Sequence, residues 1–131
     1  SDTLVGKATT DTLTNKTLTS PTITTPTQRL TLNAQTGTTY SLVIGDATYK
    51  LVTCSNAAAI TVTVPPSLFA IGDTINVQQI GAGQVTFAQG AGVTITSTGA
   101  TSSAPNLRAQ FSACTVVCTA SNTFTIVGDL S

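Results

Sequence analysis

Short alternating apolar and polar runs, cut by glycine and proline from Thr38 to the C-terminus, constrain this chain more than any other feature. Ile60-Thr61-Val62-Thr63-Val64 is the clearest run: three β-branched apolar residues fall on one face, two threonines on the other, and Pro65-Pro66 ends it. A period of two belongs to a half-buried strand and not to a helix. Comparable runs occupy 40–44, 49–53, 74–78, 85–87, 93–95, 107–111, 115–118 and 123–127. Turn residues separate them: Gly45-Asp46, Gly81-Ala82-Gly83, Gly90-Ala91-Gly92 and Ser121-Asn122. No convincing amphipathic helix is present.

Roughly eight or nine short strands at this spacing predict an all-β domain, an antiparallel β-sandwich, jelly roll or small barrel. The expected core is Leu42, Ile44, Leu51, Ile60, Val62, Val64, Ile75, Val77, Val85, Phe87, Val93, Ile95, Phe111, Val116, Phe124 and Ile126. With no Trp and no Met this is a thin core, and such a domain gains from packing against other subunits.

Residues 1–36 follow different rules. Thr, Ser, Asn, Gln, Pro and Lys dominate, with Leu13, Leu18 and Ile23 recurring every fifth residue, each flanked by threonine. A five-residue step fits neither helix nor strand, and Pro21 and Pro26 interrupt either one. Ordering a residue costs roughly 1–2 kcal/mol, which so little apolar surface cannot offset alone. The segment therefore reads as an extended arm or connector ordered against partners, with Leu13, Leu18 and Ile23 as its assembly residues. The compact domain is expected over 37–131.

The chemistry of the chain is sparse. There is no His and no Glu, which leaves no Ser-His, Cys-His or His-ligated metal arrangement, and any paired carboxylates must come from five scattered Asp. Asp46 and Asp73 adjoin turn glycines and Asp129 follows Gly128, places where a turn accounts for them. The glycine motifs lack the Gly-Lys-Ser/Thr of a phosphate loop. No enzymatic activity, metal or cofactor is expected. Only 8% of residues are charged, against about 25% in soluble domains, and the net charge is zero. The absence of a basic block argues against nucleic acid, and no apolar run reaches the ~18 residues of a membrane span. Neutral surfaces of this kind suit permanent assemblies.

Cys54, Cys114 and Cys118 form an odd set. Cys114 and Cys118 on one strand would stand about 13 Å apart, beyond disulfide reach. Cys54 could bridge to either; the plainer reading is three small buried hydrophobes made in a reducing cytoplasm. Arg108, between Leu107 and Ala109, is expected to make an inter-subunit or surface contact. The threonine pairs Thr61/Thr63, Thr94/Thr96 and Thr123/Thr125 admit a more remote reading, binding of ice or glycan by a flat sheet.

Residues 11–23, DTLTNKTLTSPTI, resemble an element that recurs in the tail fibres and related virion appendages of tailed bacteriophages, and Thr3-Leu4-Val5-Gly6 precedes it as in that family. Residues 60–66, 71–75, 81–86, 90–95, 107–113 and 127–130 resemble a domain common in phage structural proteins. The resemblance implies a virion location and assembly as a homotrimer with other virion proteins. Two positions on the particle follow: a tail fibre, with possible contact to a host cell-surface glycan, or a capsid decoration protein whose arm clamps neighbouring subunits.

Overall fold

A computed structural model of the chain describes residues 14, 15, 17, 19–22, 24–98 and 103–131. Its described residues are all-β apart from one 3-10 turn, Ile44–Ala47. Nine strands follow in order: β1 Thr31–Gln35, β2 Thr39–Ser41, β3 Lys50–Cys54, β4 Ile60–Val64, β5 Thr74–Gln79, β6 Val85–Gln89, β7 Thr94–Ser97, β8 Ala113–Ala120 and β9 Thr123–Gly128.

The first six strands wind as a short parallel coil. Odd-numbered strands stack in one sheet, β1-β3-β5, and even-numbered ones in the other, β2-β4-β6, all in parallel register. β8 then runs antiparallel to β5, and β9 antiparallel to β8 and parallel to β7, which completes a six-stranded sheet ordered β1-β3-β5-β8-β9-β7. The all-β expectation holds, but the antiparallel sandwich gives way to this coil. Alternation shows which residues face inward and says nothing about the direction of the neighbouring strand. Parallel sheets usually betray themselves by continuous apolar runs because both faces are covered. Among the described residues no helix covers the outer faces, so parallel strands carry an antiparallel-looking pattern.

The coil explains its glycines. Leu51 pairs with Asn76 and Ile60 with Val85, so the two full turns repeat at a 25-residue step. Gly81 and Gly83 consequently stack on Asn56 and Ala58 at the corner below. A Cβ on Gly83 would stand 1.8 Å from the Ala58 carbonyl oxygen, and one on Gly81 2.3 Å from that of Asn56. Gly83 N–H donates to the Asn56 carbonyl at 2.8 Å, which ties the corners together. The buried Gln79 holds the same corner: its Oε1 accepts from Val85 N–H at 3.0 Å and its Nε2 donates to the Gly81 carbonyl at 3.2 Å.

One core joins both sheets. Val52, Ile60, Val62, Val64, Ile75, Val77, Val85, Phe87, Val116, Phe124 and Ile126 are buried in it, and Phe69 meets Phe124 edge-on at 6.0 Å. Three expected core residues lie elsewhere. Ile44 is exposed in the 3-10 turn, Phe111 is exposed in a turn with φ 69°, and Leu51 is only half-buried. In β3 the inward residues are Val52 and Cys54, a one-residue register shift that turns Leu51 outward. Leu107, Cys54, Cys114 and Cys118 join the core instead.

Candidate assembly surface

The sequence segment assigned to the arm contributes more than an arm. Thr31–Gln35 forms β1, the edge strand of the larger sheet, hydrogen-bonded in parallel to β3. Leu13, Leu18 and Ile23 lie outside the described residues. The neighbouring described residues 14, 15, 17, 19–22 and 24–30 are all exposed, and Gln28 Nε2 reaches the Tyr49 hydroxyl at 3.1 Å. The five-residue recurrence has a conformational counterpart: Asn15, Ser20 and Thr25 all take left-handed backbone angles, with φ of 55°, 48° and 51°. Such angles cost L-residues roughly 1–2 kcal/mol each, and β-branched Thr25 is the least suited of the three. Among the described residues of the arm, these three positions share the five-residue spacing of the sequence.

Arg108 is paired within the chain. Its Nε and second guanidinium nitrogen donate to the two Asp129 oxygens at 2.6 and 2.8 Å, and the Arg108 N–H donates to the Asp129 carbonyl at 3.1 Å. Ser112 Oγ donates to the same carboxylate at 2.7 Å. Arg108 and Ser112 together hold the Asp129 carboxyl below the usual carboxylate range. The pair closes the C-terminal strand onto the 106–108 segment.

The end of the coil at β1 and β2 is sealed by polar side chains. Asn33 stands where Val52 and Val77 stand in the next turns, and Tyr40 where Val62 and Phe87 stand. Asn33 Nδ2 donates to Asp46 Oδ1 and to the Tyr40 hydroxyl, both at 2.8 Å, and Gln35 Nε2 donates to Asn33 Oδ1 at 2.7 Å. Tyr40 OH and Val43 N–H both donate to Asp46 Oδ2, at 2.7 and 2.9 Å. Asp46 is buried, so this carboxylate is the hub of the seal. Burial, and then the Asp46 carboxylate beside it, push the Tyr40 hydroxyl up to about 12. The sequence reading of Asp46 as a turn residue missed this role, since its partners come from β1 and β2.

The strand residues in register on the outer face of the six-stranded sheet are uncharged, and charge adjoins them at the margins: Asp129, holding Arg108, stands opposite Ala113, and Lys50 lines a second pocket with Leu30, Thr74 and Asn76. Registration sets Leu32, Leu51, Asn76, Thr115 and Val127 in one row across five strands, flanked by Ala34, Thr53, Gln78 and Ala113 on one side and Thr74, Val117, Thr125 and Thr96 on the other. Leu30 and Leu32 are 53% and 70% exposed and Val127 is 50% exposed. Between them runs a groove of about 400 Å³ lined by Leu30, Leu51, Asn76, Ala113, Thr115 and Val127 among others. In mid-row, Thr115 Oγ1 donates to Asn76 Oδ1 at 2.9 Å, so polar atoms there satisfy each other.

Two of the threonine pairs meet. Thr94 and Thr96 on β7 lie in register beside Thr123 and Thr125 on β9, with the Thr96 and Thr125 hydroxyls 3.0 Å apart. Thr61 and Thr63 stand on the other sheet, beside Thr39 and Ser41. The three cysteines are buried thiols; burial pushes Cys54 up to about 11 and Cys114 to about 12. Among the described residues no group of three or more His, Cys, Asp or Glu is placed to hold a metal ion. Neither a protein-family model nor a curated protein sequence matches the chain.

Proposed function

We propose that the chain is a structural, non-enzymatic module of a tailed-bacteriophage virion, working as a homotrimeric fibre or appendage protein. The observation that carries this reading is the pairing of an arm whose described residues are exposed with a coil whose broad sheet face is poor in charge and partly apolar. An arm of this kind gains order only against neighbours. A sheet face with three exposed aliphatics in or beside a single row is a surface for contact more than for solvent. The resemblance of residues 11–23 to the fibre element supplies the particle on which these surfaces act.

The test is localisation on the virion. Reconstruction of the particle is expected to show the chain in threefold fibres at the tail. Density for it over the capsid shell instead would replace the tail-fibre reading with capsid decoration, the arm then clamping neighbouring capsid subunits. Absence from purified particles would overturn the virion reading altogether.

A further inference from the structure

We infer that the second pocket, at the margin of the six-stranded sheet, binds a carboxylated sugar, with the Lys50 ammonium taking the carboxylate and Tyr49, Thr74 and Asn76 taking the pyranose ring. The inference gives the fibre reading above a ligand site and a ligand class. It rests on that reading for its setting on a particle, while its chemistry rests on the pocket.

The pocket opens where β3 and β5 begin. Leu30, Ala47, Tyr49, Lys50, Thr74 and Asn76 line about 350 Å³, within the ~300–1,000 Å³ of small-molecule sites. Its side chains offer donors without matching acceptors. Arg108 and Asp129 form the one ion pair among the described residues, so the half-buried Lys50 has no carboxylate partner there. Asn76 Oδ1 is taken by the Thr115 hydroxyl at 2.9 Å, which leaves Asn76 Nδ2 to donate outward. The exposed Thr74 hydroxyl has no partner among the described residues. A half-buried ammonium without a counter-charge gains from a ligand that brings one. A single cation without an arginine fork suits a carboxylate better than a phosphate.

Tyr49 supplies the shape. Its ring is 63% exposed, and its hydroxyl accepts from Gln28 Nε2 at 3.1 Å, which holds the ring in place. Its backbone is left-handed, with φ 49°, a costly conformation for a bulky L-residue. Strain of this kind concentrates where ligands are held. A pyranose packs its C–H side on such a ring while its hydroxyls meet the amide and hydroxyl beside it. An acidic side chain would use the ammonium and leave the ring, the amide and the hydroxyl idle.

The experiment is a nuclear magnetic resonance titration of the full chain with D-glucuronate, D-glucose and acetate. Glucuronate is expected to shift the amides of Tyr49, Lys50, Thr74 and Asn76 at millimolar concentration. Glucose and acetate are each expected to need about tenfold more, the worth of one charge-assisted hydrogen bond. Two variants carry the test independently. Lys50→Gln removes the cation; Asn76→Asp keeps the acceptor for Thr115 and sets a negative charge in the pocket. Each is expected to weaken glucuronate binding about tenfold with unchanged circular dichroism. Glucuronate bound at wild-type strength by both folded variants would overturn the site. Glucose acting at the glucuronate concentration would overturn the role of Lys50, and acetate or an acetylated glutamate amide doing so would overturn the sugar. No shift with any probe removes the site and leaves the virion reading, which localisation tests, standing.

Discussion

Gly83 leaves no room for even a methyl group, because the backbone of the previous turn of the coil lies directly beneath it. Gly83→Ala is expected to cost about 2 kcal/mol or more, in the range of overpacked cores, read as a lowered urea midpoint with little change in slope. The Asp46 seal makes a pH prediction of its own. A hydroxyl whose pKa is raised on folding stabilises the folded state fully below its unfolded value near ~10. That contribution is lost as pH climbs through the folded value of about 12. Titration of tyrosinate absorbance in a Tyr49→Phe background is expected to report Tyr40 above the model-peptide range, with stability falling across the same interval. Asp46→Asn should bring the Tyr40 titration down, since the carboxylate contributes to the shift. An unshifted Tyr40 in the wild type would contradict the seal.

At the scale of elements, most strands were legible and their pairing was not; the run 107–111 makes only an isolated bridge at Leu107 before a turn, and 40–44 leaves the sheet after Ser41. Ile60-Thr61-Val62-Thr63-Val64 gives β4 almost residue for residue, because an outer face toward solvent imposes clean alternation. The same solvent exposure hid the parallel stacking. Its sequence trace is the 25-residue step from Ile60 to Val85 and from Leu51 to Asn76, with Gly81 and Gly83 set over Asn56 and Ala58. β1 escaped notice because its inward positions are Asn33 and Gln35, polar residues that suit only the last turn of a coil. In β3, Leu51 and Val52 offered two registers, and burial of Cys54 goes with the second. Val52→Ala is therefore expected to cost about 2 kcal/mol in chemical denaturation, and Ile44→Ala no more than about 0.5 kcal/mol, as at other surface sites. Equal costs would contradict this register. Of the candidate site, Arg108 was visible but its partner was not, since Asp129 meets it through the C-terminal strand ordering.

For the whole molecule, the scarcity of charge, the exposed arm and the partly apolar sheet face are three expressions of one property. The chain has few groups that would repel a neighbour and an arm too poor in apolar surface to order alone. A thin core whose fully buried aromatics are Phe87 and Phe124, in a chain with no Trp, makes subunit contact a reasonable source of further stability. Sedimentation equilibrium of the intact chain tests the central claim most directly. The account predicts a single species of about three times the 13.2 kDa chain mass. A species of 13.2 kDa at micromolar concentration would contradict it.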